Sequence, residues 1–266
     1  MKIAITGKGG VGKTTISALL SYIYASEGRK VIAVDADPDA NLASAFGIPV
    51  DRLKDIHPIA DMSELIEERT GAKPGSIGGL FKLNPRVDDI PEEFGCKFDG
   101  IRLLVLGKSR SASSGCYCPE NALLRRLLKH LILERDEVVI VDMEAGIEHL
   151  TRGTTEGVNA FIVVVEPGQR SIQTALTVKG LAEELGIKRV FVVANKVRDD
   201  KDMDFINSSL KGLEVIGIVH FDNDILESDI KGIPSHLASE MAIREVRMIK
   251  DRLERVIEKD TQRHTH

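Results

Sequence analysis

The chain has 266 residues and a formal net charge of −5, which suits one large α/β domain and does not indicate a nucleic-acid-binding surface. No apolar run approaches the roughly 20 residues of a membrane span, and strand-forming residues begin at Lys2, so neither a spanning helix nor a signal peptide is expected. Three cysteines, two of them one residue apart, do not make a secreted disulfide framework, and a cytoplasmic location is expected.

The first strand-like segment, Lys2–Thr6, runs directly into Gly7-Lys8-Gly9-Gly10-Val11-Gly12-Lys13-Thr14-Thr15, and a helical stretch from Thr14 to Ser26 runs out of it. The frame Gly7-x4-Gly12-Lys13-Thr14 is a complete phosphate-binding Walker A loop in the strand–loop–helix context that such a loop needs. Its glycines let successive N–H groups wrap a phosphate, and the helix N-terminus adds its positive end. Lys13 is expected at the β- and γ-phosphates and the Thr14 hydroxyl in the shell of a Mg²⁺ ion. Lys8 is a second lysine in the same loop. With Lys13 serving the chain's own phosphates, it is available to reach elsewhere.

Further strands are expected at Lys30–Asp35, Ile101–Leu106, Glu137–Asp142, Ala160–Val165, Arg189–Ala194 and Glu214–Val219. Helices are expected at Pro119–Arg135, Ser171–Leu185, Asp224–Lys231 and Glu240–Ile257, with a short one near Ser63–Arg69. Runs such as Phe161-Ile162-Val163-Val164-Val165 are apolar throughout, as parallel strands buried on both faces must be. The pattern predicts a single domain over 1–266, a mostly parallel, doubly wound sheet flanked by helices, with ligands at the carboxyl ends of the strands. The stretch 51–100 reads as an insertion, either a connection or a partner-binding surface, and 259–266 as a flexible tail.

Polar residues do collect just after the strands. Asp35, Asp37 and Asn41 follow the second, Asp142 and Gly146 the fourth, and Asn195 with Lys196 the sixth. Asp142 closes an apolar strand in the manner of a Walker B aspartate, which holds Mg²⁺ through water. The Gly146 N–H is placed to sense a γ-phosphate, and Asp37 to orient the attacking water. Guanine recognition in related loops uses Asn-Lys-x-Asp, but here Arg198 stands where the carboxylate belongs, and an arginine cannot accept the guanine N–H bonds. Asn195 remains suited to adenine, so the nucleotide is read as ATP.

Gly115-Cys116-Tyr117-Cys118-Pro119-Glu120-Asn121 leads into a helix with apolar residues at Leu123, Leu124, Leu127, Leu128 and Leu131. Cys118 is expected at the helix N-cap, where the dipole favours a thiolate. In an extended approach Cys116 and Cys118 project to the same side. Two thiolates leave a tetrahedral soft-metal site half complete, and two chains about a two-fold axis supply four. Cys96 has no partner at ligand spacing.

The phosphate loop, Asp35-Ala36-Asp37-Pro38-Asp39-Ala40-Asn41 and the Asp142–Gly146 segment together resemble the deviant Walker A ATPases of the MinD/ParA and nitrogenase iron-protein group. That resemblance covers almost the whole chain and implies an ATP-dependent homodimer in which Lys8 reaches the other subunit's nucleotide. It also implies Asp37 as the hydrolytic aspartate of a first switch, Asp35 as its magnesium-side neighbour, and Asp142 to Gly146 as a second switch. With Cys116-Tyr117-Cys118-Pro119-Glu120-Asn121-Ala122-Leu123-Leu124-Arg125 included, and Leu83 to Asp89 upstream, the chain resembles the CooC family of nickel-insertion ATPases. The resemblance implies Ni²⁺ (or Zn²⁺) held by Cys116 and Cys118 of two subunits. It implies carbon monoxide dehydrogenase or acetyl-CoA synthase as client, and neither nucleic acid nor membrane as partner. The alternatives are a MinD/ParA-like positioning ATPase and an iron-protein-like electron-transfer ATPase with a bridging iron–sulfur cluster.

Overall fold

The computed structural model describes residues 1–76, 80–107, 118–144 and 152–263, so Cys116 and Gly146 lie outside the described residues. In chain order the first half holds β1 (Lys2–Gly7), α1 (Lys13–Ser26), β2 (Val31–Asp35), α2 (Leu42–Ala45), α3 (Val50–Leu53), α4 (Ser63–Thr70), α5 (Ile90–Phe94), β3 (Cys96–Phe98) and β4 (Ile101–Val105). Then come α6 (Pro119–Leu133), β5 (Val138–Asp142), α7 (Arg152–Thr155), β6 (Ala160–Val165), α8 (Gln169–Glu184) and β7 (Val190–Val197). The chain closes with α9 (Asp200–Ser209), β8 (Glu214–His220), α10 (Asn223–Lys231), α11 (Ser235–Ala238) and α12 (Glu240–Arg263).

The strands form one sheet in the order β3-β4-β2-β5-β1-β6-β7-β8. Every pairing is parallel except the short antiparallel edge of β3 on β4. Successive strand residues serve opposite faces, as the pleat requires. Ala4, Val34, Val141 and Val163 pack with α4, α6, α8 and α9 on one side. Ile3, Ile5, Ile140 and Val164 pack with α1, α2 and α12 on the other. The doubly wound parallel sheet read from the apolar runs is therefore the observed architecture.

One difference from the expected elements has a physical cause. Helix α12 continues through Arg263, into the stretch expected to be a tail, because 258–263 contains no glycine or proline to stop it. Its apolar stripe (Ala242, Val246, Ile249 and Leu253) is buried against the core rather than left for a membrane. No helix among the described residues is long and apolar enough to cross one. Within 51–100, α4 buries Leu65 and Ile66 in the core, and Arg69 holds Asp89 through two 2.9 Å hydrogen bonds. Part of that stretch is thus structural.

One contact links distant parts of the chain. Gly47 has φ +69, and a Cβ there would run into the ring of Pro234, so the turn after α2 lies directly on the turn before α11. His236 of α11 stacks on Tyr22 of α1, with centroids 4.1 Å apart and planes 15° from parallel.

Candidate nucleotide site and cysteine-bordered cavity

The strand order brings the carboxyl ends of β2, β5 and β1 side by side, and the phosphate loop opens from the last of these. Gly12 sits at φ +95 as the residue before α1, and a Cβ on it would meet the Asn195 amide nitrogen. Only glycine satisfies both demands. Asn195 uses that closeness: its amide donates to the Val11 carbonyl at 2.7 Å. The Lys196 ammonium donates to the Gly10 carbonyl at 2.6 Å and pairs with Glu166 at 3.3 Å. Lys196 does so at φ 57, a left-handed conformation costing a side-chain-bearing residue on the order of 1 kcal/mol. Asn195, expected at the base, and Lys196 therefore brace the phosphate loop, and both also line the cavity beside it.

A cavity of about 560 Å³ begins at Gly9, Gly10, Gly12, Lys13, Thr14 and Thr15. Asp37, Asp39 and Asn41 stand on one side. Its far wall, His220, Phe221, Leu226 and Ile233, was not anticipated from sequence. The signal was available, since His220 ends β8 and the strand-end rule applies there too. Size and composition suit a nucleotide, with phosphate donors at one end and an apolar wall at the other. Gly7 ends β1 beside Val164, and Val11 is fully buried beneath the loop. Both are structural to the cradle.

The charged groups divide by burial. Lys13 is 6% exposed, and its ammonium lies 3.6 Å from the Asp37 carboxylate. Asp37 also accepts the Asp39 N–H at 3.1 Å, which shapes the turn. Asp35 and Asp142 are both fully buried and stand opposite each other in register. Asp35 accepts the N–H groups of Leu42 at 2.8 Å and Asp37 at 3.2 Å, so it organises the segment that carries Asp37. Burial, reinforced by the Asp142 charge, pushes its carboxyl up to about 7.

Asp142 differs. Both of its oxygens are buried without a hydrogen-bond partner, and burial pushes it up to about 6. The Thr14 hydroxyl and the Lys13 ammonium are near enough to pull it partly back down, but the neighbouring Ser17 hydroxyl donates to the Lys13 carbonyl instead. A buried carboxylate with unfilled lone pairs beside a threonine hydroxyl has the donor set a Mg²⁺ shell requires. The Thr6 hydroxyl holds the Glu144 carbonyl at 2.6 Å, fixing the start of the segment after β5. Lys8 is half-buried, and its ammonium makes no ion pair or hydrogen bond among the described residues.

Away from this cleft, Cys118 is the N-cap of α6 (φ −124, ψ 154), with Pro119 as the first helical residue, as the sequence predicts. Its side chain is 2% exposed in the single chain and borders a cavity of about 190 Å³, with Phe81, Leu83 and Asn84 opposite. Cys96 lies on the edge strand β3 and packs on the face of the sheet opposite to the one that α6 covers.

Residues 2–235 match the CobQ/CobB/MinD/ParA nucleotide binding domain family. The chain is 51% identical over 233 residues to the carbon monoxide dehydrogenase accessory protein CooC of Rhodospirillum rubrum, covering 88% of each. It is 50% identical over 245 residues to an ATP-binding protein of Methanocaldococcus jannaschii, covering 91% of this chain and 93% of that one. Among solved structures, MinD in the MinC:MinD cell division complex of Aquifex aeolicus shares the fold at a TM-score of 0.66 and 22% identity, covering 96% of this chain and 95% of that one. The loop cradled by Asn195 and Lys196, the paired strand-end aspartates and these likenesses agree: the chain belongs to the CobQ/CobB/MinD/ParA nucleotide-binding family, as a P-loop ATPase of the CooC branch.

Proposed function

We propose that this ATPase is a metallochaperone whose nucleotide-controlled homodimer carries Ni²⁺ on Cys116 and Cys118 and assists nickel insertion into carbon monoxide dehydrogenase or a related acetyl-CoA synthase. The observation that carries the reading is the place of Cys118. A cysteine at a helix N-cap, bordering a cavity, is a thiolate-stabilising position, and it occurs in a chain half identical to a carbon monoxide dehydrogenase accessory protein.

The nucleotide half of the reading follows from the cleft. Loop N–H groups and Lys13 bind the phosphates, and Asn195 with Lys196 keeps the loop in shape for them. Thr14 and Asp142 would hold Mg²⁺, which supplies neutralising charge to the β- and γ-phosphates when bound. Asp35 sets the backbone that presents Asp37, and Asp37 orients the attacking water. Asn41, at the start of α2, faces the same space. Lys8, unpaired among the described residues, is the residue to cross a dimer interface and meet the partner's phosphates. ATP then favours one arrangement of the two subunits and ADP another, as any ligand-driven switch requires.

Replacing both Cys116 and Cys118 by alanine should reduce bound nickel to background in native mass spectrometry, while ATP affinity stays within about twofold. Undiminished metal in the double variant would refute the thiolate site.

A further inference from the structure

Helix α6 has two faces with separate uses. Leu123, Leu124, Leu127, Leu128 and Leu131 fill the core. The opposite stripe starts at Cys118 and runs through Asn121, Ala122, Arg125, Arg126 and Lys129, spaced three and four residues apart so that all share one side. These residues border the 190 Å³ cavity. A second hollow of about 580 Å³ continues from it, sharing Asn84, Arg126 and Lys129. The stripe is about 16 Å long at the helical rise, the span of about five residues of extended chain.

The charges along it are unequally satisfied. Arg126 is engaged by Glu134 at 2.7 Å, and Glu134 also takes His130 at 2.9 Å. Across the groove Asp88 is held by Arg86 at 2.8 Å. Glu120 is buried, with its carboxylate accepting the Gly75 N–H at 3.2 Å. Arg125 and Lys129 make no ion pair or hydrogen bond among the described residues. Two uncompensated cations thus flank a groove that ends at Cys118, on a chain whose net charge is −5. Near Cys118 the facing wall is largely apolar, with Phe81 and the 60% exposed Leu83 lining the cavity beside Asn84. A polyphosphate backbone would find two cations and an otherwise acidic molecule. A peptide with carboxylates on one side and apolar residues on the other matches both walls.

We propose that the groove between α6 and residues 81–84 is the docking track for an acidic segment of the protein that receives the metal, with Arg125 and Lys129 reading its carboxylates and Cys118 at its end. The proposal rests on the metallochaperone reading for the identity of that protein, but not for the chemistry of the groove.

Two ligands separate these dependences: carbon monoxide dehydrogenase lacking nickel, and a fluorescein-labelled hexaglutamate peptide read by anisotropy. The variants are Arg125→Glu/Lys129→Glu, its milder form Arg125→Gln/Lys129→Gln, and Lys201→Glu on the remote α9 as a charge control. Binding of both ligands should weaken by at least about tenfold in the reversed pair, less in the neutral pair, and not at all in the control. It should also fall steeply with added salt, while ATP turnover and nickel content are unchanged. Equal peptide binding by wild type and both double variants overturns the proposal, as does equal affinity for a single-stranded oligonucleotide. Peptide binding lost in the variants, but with no binding of the dehydrogenase by wild type, upholds the acidic groove and removes that enzyme as client.

Discussion

Lys13→Gln should lower ATP turnover by about 10²–10³-fold and weaken nucleotide binding with it, the scale expected when one preorganised charge is removed from a phosphoryl-transfer site. Lys13 is the first residue of α1, almost fully buried, and its ammonium is fixed 3.6 Å from Asp37. Little side-chain entropy remains to be lost when a phosphate takes that ammonium, so its charge acts at close to full strength. Lys8→Gln tests a different link. Lys8 is half-buried and bonded to nothing among the described residues, so its removal should leave nucleotide binding by the single chain intact. It should abolish the ATP-dependent rise in mass seen by light scattering, and turnover should fall with it. Titration calorimetry beside light scattering distinguishes the two lysines. Loss of nucleotide affinity in Lys8→Gln, or dimerisation unchanged by it, would remove the trans-acting role.

Asp142→Asn should abolish turnover and yet raise the stability of the nucleotide-free protein above neutral pH. In the fold Asp142 titrates at about 6 rather than 3.8, because burial disfavours its charge. Between those values the unfolded chain has lost the proton and the folded one has kept it. Stability therefore falls as pH rises from about 4 through about 6 and is level above, by on the order of 3 kcal/mol for that one group. Asp35, pushed up to about 7, extends the slope upward. Glu134 and Glu137, held near 2 by arginine hydrogen bonds, act at lower pH, while His236, lowered by burial, tilts the curve the other way. The informative quantity is therefore the difference between Asp142→Asn and wild type in melting temperature from pH 4 to 8. It should grow by several degrees with pH. Mg²⁺ with nucleotide should raise the melting temperature of wild type and not of the variant. A pH-independent difference would show that the aspartate is not carrying a buried charge.

The sheet was legible because parallel strands buried on both faces have to be apolar, and Phe161–Val165 or Val138–Val141 admit few other readings. What escaped notice lacked that signature. β3 is three half-exposed residues on an edge, too short for any period. α9 is mostly polar and buries Ile206 alone, although its cap is a residue type that favours helix starts: Asp199 accepts the Asp202 N–H at 3.0 Å. β7 runs on to Val197 because pairing with β8 resumes at Val197–His220 after a register break at Asn195 and Lys196, the kind of irregularity no periodic pattern announces. Within the site, residue types and positions were readable and directions were not. Nothing in the order of letters says that Asn195 and Lys196 turn toward the carbonyls of Val11 and Gly10. Nor does it say that Asp35 spends its oxygens on backbone while Asp142 leaves both open.

The seating of Pro234 on Gly47 fixes the turn after α2 from one side. A closer approach of α2 to α11 would press a proline ring onto bare backbone, while Leu42 and Phe46 hold α2 in the core beside α1. That stop is itself fastened, through the His236–Tyr22 stack, to α1, the helix whose first turn grips the phosphates. Both the turn after α2 and the phosphate loop are thus referred to one helix, α1, so neither is placed by the sheet alone.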